Sequence, residues 1–209
     1  MDEQGWFASV DIEQMLAALV GSSYPDAEPC NWGEGERKKA LYVLACLHPV
    51  WHMLPSEYAE ALEALGEYAD GNAAPEILFA KWTAAEEVSS EYSGVLFAIG
   101  YDDIGLCCHY LAEMQLVGAG AAEFRQAALL RDIFGNPFRP VAFDPAWRTE
   151  TVVGIARGIY EDRAFERMPI LADALQDAGC EHPDILTHCR EPGEHVRGCW
   201  VVDLVLGKV

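Results

Sequence analysis

Apolar residues recur along this chain at intervals of three and four far more consistently than at every second position, and that spacing predicts helix after helix. Asp11 with Gln14 forms a capping-box pattern for a helix reaching about Val20, where Gly21 suits a left-handed stop. "EPCNWGEGE" reads as a loop from its Gly, Pro and Asn content. Between Arg37 and Leu54, residues Leu41, Leu44, Ala45 and Leu47 keep helical spacing. Pro49 must kink or break that segment, because it lacks an N–H and crowds the preceding turn. Ser56 is placed to cap a helix with Tyr58, Leu62, Leu65 and Tyr68 on one face, ended by Gly71. Pro75 suits the first position of the next helix, which carries Ile77, Leu78 and Trp82. The middle of the chain predicts two helices separated near Gly100, then "AEFRQAALLRDIF" stopped by Gly135 and Pro137.

"GNPFRPVAFDPAW" is dense in proline and predicts an extended or turning connector over 136–148. Beyond it the pattern sharpens. Thr149 caps a helix with Val152, Ile155, Ala156 and Ile159 inward, and a second places Met168, Leu171, Ala172 and Leu175 inward before stopping at Gly179. The pair reads as an antiparallel hairpin. A short helix from about Asp184, a turn at "EPGEH" and a last helix from about Arg197 to Leu206 complete the chain. The expected class is all-α: an irregular multi-helix bundle with an N-terminal half (1–135), the connector and a C-terminal helical-hairpin half (149–209) within one domain.

Composition changes the picture in two ways. Half the residues are apolar and six are tryptophan, enough to bury a core without disulfide or metal staples. The charge is lopsided, 14 basic against 34 acidic residues, and no basic stripe interrupts it. Direct nucleic-acid binding and anionic membranes are therefore disfavoured, since both need clustered Lys and Arg. No apolar run approaches a bilayer-spanning length, and no basic segment followed by an apolar stretch opens the chain as a secretory signal would. Seven cysteines, two of them adjacent (Cys107 and Cys108), do not resemble a secreted disulfide framework, and a reducing cytoplasm is the expected setting.

The chemistry concentrates in residues 180–199, which hold Cys180, His182, His188, Cys189, His195 and Cys199. Zinc favours thiolate and imidazole ligands. Cys180 and His182 flank a turn, while His195 and Cys199 stand four apart on the expected last helix, so these four form a candidate metal set. Cys189 follows Ile185 and Leu186 at helical spacing and reads as a small core residue. His188 lies four residues after Asp184 and reads as its surface partner. No CxxC knuckle or standard zinc spacing is present, which favours a structural clasp over a metal site. A Cys199–His195 nucleophile couple is disfavoured by the apolar run Trp200, Val201 and Val202 beside the cysteine. Asp203, a lone acid in that run, reads as a structural carboxylate tied to an arginine, with Trp200 as packing. Cys46, His48 and His52, like Cys107, Cys108 and His109, read as packing too. No phosphate-binding glycine loop, GxSxG elbow or HExxH is found.

The motifs "IFGNPFRP", "ILADALQDAGC" and "HVRGCWVVDLVLGK", within residues 129–208, resemble a recurrent uncharacterised protein family abundant in planctomycetes. The resemblance implies relatives and no activity. The sequence therefore points first to a cytoplasmic α-helical module that contacts a protein partner and needs no cofactor. A zinc-binding protein or zinc-dependent enzyme built on the Cys/His cluster is the second reading. An acidic mimic of nucleic acid that blocks a DNA-binding enzyme is the third.

Overall fold

The structure is a computed structural model and describes residues 1–20, 36–88, 93 and 119–208. The Gly21 stop, the loop after it, the two helices expected around Gly100, and Cys30, Cys107, Cys108 and His109 lie outside the described residues. Among the described residues there is no strand, and the class is the all-α, irregular multi-helix bundle that the apolar spacing predicts. No described helix is long and apolar enough to cross a membrane. Contacts divide the chain into two units, Met1–Ala127 and Ala128–Val209.

In the first unit, α1 (Glu3–Ala8) was not foreseen; the Asp2 carboxylate caps it by accepting from the Gly5 N–H at 2.7 Å. Asp11 caps α2 (Ile12–Val20), accepting from the Gln14 backbone N–H at 3.0 Å and from its side-chain amide at 2.7 Å. The segment holding Pro49 breaks as expected, into α3 (Glu36–Leu47) and a 3-10 turn over His48–Met53. Ser56 does not cap α4 (Ser56–Ala69); it is the first helical residue, after Pro55, and its hydroxyl donates to Glu57. Tyr58, Leu62 and Leu65 are buried where α4 packs on α3 and on α5 (Pro75–Glu86). The boundary between units falls inside α6 (Ala119–Phe134).

The second unit carries the clearer core. Thr149 caps α7 (Glu150–Asp162), its hydroxyl accepting from the Val152 N–H at 3.3 Å. Val152, Ala156 and Ile159 are buried, and Ile155 packs at the margin. Arg163, in the left-handed region at φ 54°, ends the helix. α8 (Met168–Asp177) follows a 3-10 turn, starts with Pro169 in its first turn, and buries Met168, Leu171, Ala172 and Leu175, the four residues its spacing predicts. α7 and α8 pack together as the hairpin, α8 packs on α9 (Pro183–Arg190), and α7 on α10 (Trp200–Leu206). Val141, Phe143 and Trp147 from the proline-rich segment pack against the same core. Arg148 joins its ends, donating to the Leu204 carbonyl at 2.7 Å with its guanidinium over the Phe143 ring.

The last helix begins later than expected. Gly198, at φ 93°, turns the chain, the Cys199 N–H donates to the Val196 carbonyl at 3.0 Å, and α10 starts only at Trp200. His195 and Cys199 therefore do not share a helix face.

Leu171 is fully buried and its neighbour Ile170 is 55 % exposed, so the two test the packing directly. Leu171→Ala is expected to cost about 3 kcal/mol by leaving a cavity. Ile170→Ala is expected to stay within about 0.5 kcal/mol of wild type. Urea unfolding of the full chain followed by circular dichroism measures both.

Candidate metal centre

Asp132 lies in the last turn of α6, between the fully buried Leu129 and Ile133, so its carboxylate points into the protein. A charge in that position must find partners. Oδ2 accepts from the Val196 N–H at 2.9 Å, and Oδ1 lies 2.6 Å from Nδ1 of His195 and 3.2 Å from Nε2 of His188. Nε2 of His188 is also 3.2 Å from Sγ of Cys199. One ligand atom from each of Asp132, His188, His195 and Cys199 thus falls within 4.8 Å of every other. The side chains are 3 % exposed at Asp132, 10 % at His195 and 19 % at His188, and Cys199 is fully buried.

The electrostatics divide along these contacts. Burial drives the Asp132 carboxyl upward, but hydrogen bonds and charge interactions with His188 and His195 together outweigh it and hold the pKa below its ordinary value. Burial lifts the Cys199 thiol well above its usual range and the charge on Asp132 lifts it further; the backbone N–H groups of Val202 and Val201 pull the other way. A carboxylate and a would-be thiolate disfavour each other here unless a cation lies between them.

That geometry is wrong for a nucleophile with its base. In such a couple the carboxylate holds one ring nitrogen while the sulfur uses the other. Here Asp132 and Cys199 crowd the same nitrogen of His188, and the sulfur is buried. The arrangement does suit a metal. Ligands bound to zinc at about 2.0–2.3 Å stand roughly 3.3–3.7 Å apart along a tetrahedron's edges. The two 3.2 Å separations at His188 are close to that spacing, whereas the 2.6 Å His195–Asp132 contact is a hydrogen bond that must open by about 1 Å to admit an ion. Two anionic ligands, Asp132 and the thiolate of Cys199, would balance a divalent charge. With Oδ1 in the ligand group, the Val196 N–H fixes the other carboxylate oxygen, the kind of outer contact that orients metal ligands.

Of the four residues singled out from the sequence, His195 and Cys199 belong to this group and Cys180 and His182 do not. Cys180 is buried in the hydrophobic core with Cys189, and Nδ1 of His182 is buried without a hydrogen-bond partner. The expectation that no cofactor is needed is corrected by the His/His/Asp/Cys group, whose geometry is compatible with metal coordination and favours zinc. His188 is not the partner of Asp184, which pairs with Arg139 at 3.2 Å; it faces inward to Cys199 and Asp132. Asp203 is buried beside the core residues Val202 and Val205, and Trp200 packs at the core's margin. Cys46 is buried with His48 and His52 exposed, so that trio does not converge. Asp132 was missed in the sequence because "LLRDIF" looked like ordinary amphipathic helix. An acid between Leu129 and Ile133, on the apolar side, was the available signal.

No protein-family model matches this chain, and no curated protein or solved structure matches it either.

Burial at Cys189, whose thiol is pushed up to about 12, and at Cys180 and Cys199 predicts inert thiols. Native protein treated with iodoacetamide near neutral pH is expected to stay unlabelled at all three, as read by peptide mass spectrometry, and to label fully in denaturant. Rapid native labelling of Cys199 would instead mark a nucleophile.

Proposed function

We propose that the second unit, residues 128–209, is a zinc-binding module whose ligands are Asp132, His188, His195 and Cys199. The observation that carries this reading is the convergence of Asp132 Oδ1 and Cys199 Sγ on one nitrogen of His188. A single imidazole N–H points in one direction and satisfies one of them well. A cation among the four ligand atoms satisfies all of them at once. Mixed sulfur, nitrogen and oxygen donors in a tetrahedral set suit zinc, a borderline-soft ion, better than magnesium or calcium, which take oxygen ligands.

The role that fits is structural. Four protein ligands fill a tetrahedral shell, and the burial of Asp132 and Cys199 leaves little room for a substrate. The ion would tie the end of α6 to α9, to the 191–199 segment and to the start of α10. Metal binding then contributes directly to folding free energy. The interaction-module reading rests on no particular side chain, whereas the zinc reading names four.

Purified full-length protein is expected to hold one zinc per chain by elemental analysis and to lose thermal stability on chelation. Cys199→Ala and Asp132→Ala are expected to bring zinc near zero, while Cys180→Ala, outside the group, keeps it. Stoichiometric zinc in Cys199→Ala, or none in the wild type refolded with zinc, would sink the proposal.

A further inference from the structure

We infer that Trp200, seated against Gly135, is a positioning residue that sets the orientation of the His188 ring for the metal; the inference rests on the zinc reading of the centre. Gly135 follows the last residue of α6 in the left-handed conformation, at φ 67°, with its N–H donating to the Arg131 carbonyl at 3.0 Å. A Cβ at Gly135 would stand 3.2 Å from Cγ and 3.3 Å from Cδ2 of Trp200, so the indole lies directly on this backbone. The indole also faces the His188 ring, with centroids 5.1 Å apart and planes tilted by 52°. The His188 ring in turn meets the His195 ring edge-on, at 4.8 Å and 73°. Gly135, Trp200, His188 and His195 therefore form one continuous run of contacts.

Gly135 and Trp200 are each tied to a ligand through the backbone. Trp200 directly follows Cys199, and Gly135 lies three residues after Asp132. His188 is the most exposed of the four ligands at 19 % and has the greatest freedom to turn away. Its Nε2 must face both Asp132 Oδ1 and Cys199 Sγ, and the indole walls one side of the ring that carries it. Contacts of this kind, outside the ligand shell, commonly change metal affinity by about 10–100-fold. Gly135 is required because an added Cβ would press on the indole, besides straining a backbone that L side chains rarely adopt.

Cobalt(II) and zinc titrations of the full chain test this, the first read by the visible d–d bands and the second by competition with a chromophoric chelator. Trp200→Ala is expected to weaken zinc binding by about 10–100-fold and to change the position and intensity of the cobalt bands. Trp200→Phe, which keeps an aromatic wall, is expected to restore most of both. Gly135→Ala removes no side chain from this run of contacts but presses on the indole, and is expected to shift the bands in the same way. Leu171→Ala removes core packing from the same unit, and is expected to lower stability while leaving the cobalt spectrum unchanged. Unchanged affinity and spectrum in Trp200→Ala and Gly135→Ala, beside a wild type that binds, overturn this inference alone. A wild-type chain that takes up neither metal overturns the zinc reading and this inference together.

Discussion

The buried carboxylate of Asp132 organises the second unit. Leaving such a charge without partners in an apolar interior would cost several kcal/mol, comparable with the stability of a small domain. The protein brings three groups from two segments to it: the Val196 N–H and the His195 ring from the chain between α9 and α10, and the His188 ring from α9. Each of these contacts fixes a piece of chain with no regular secondary structure of its own, or the end of a short helix. The 191–199 segment is held to α6 by this acid, and to α7 by Arg197 over the Tyr160 ring. Fold and site are therefore one problem, and a substitution at Asp132 acts on both.

The helices of this unit were readable in the sequence wherever the helical period and a cap agreed. Thr149 with Val152, and Pro169 with the inward row Met168, Leu171, Ala172 and Leu175, put two independent signals in one place. The last helix was misjudged because "HVRGCWVVDLVLG" keeps its apolar residues close together, and Gly198 was not recognised as the turn that delays the helix to Trp200. His195 and Cys199 were grouped by an i, i+4 helical relation that is not present. They belong to one site because His195 reaches the Asp132 carboxylate and, past the turn at Gly198, Cys199 reaches His188. Local spacing also favoured Cys180 and His182, which stand close to the cluster in sequence, over Asp132, which stands far from it. Tertiary contact decides such membership, and a single sequence carries it only as a faint anomaly, here an acid on an apolar helix face.

Every member of the group sits at an end of a helix or between helices: Asp132 in the last turn of α6, His188 in the last turn of α9, His195 beyond it, and Cys199 just before α10. Helix faces would have spaced these ligands by the helical repeat and left a recognisable motif. Helix ends are placed by the stops instead, and two of those stops are left-handed glycines, Gly135 after α6 and Gly198 before Cys199. A site assembled from ends has a cost. Terminal turns fray most easily, since their last backbone groups lack partners within the helix. Two of these ends are packed together by Trp200, which lies on Gly135 and beside His188.

The state of Cys199 separates a metal centre from a polar cluster complete in itself. With no cation, the charge of Asp132 and full burial keep the thiol protonated, and its sulfur shares a nitrogen already engaged by the carboxylate. A cluster meant only to satisfy Asp132 would be served by His195, Val196 and His188, and a sulfur 3.2 Å from Nε2 of His188 adds little to it. A divalent cation held by the group would reverse this relation: it would attract carboxylate and thiolate alike and favour loss of the sulfur's proton, with the N–H groups of Val202 and Val201 placed to support the thiolate. Of the four residues Cys199 gains least from the hydrogen bonds, a single contact to His188, and the proposed metal-ligand role is the one that would use its sulfur.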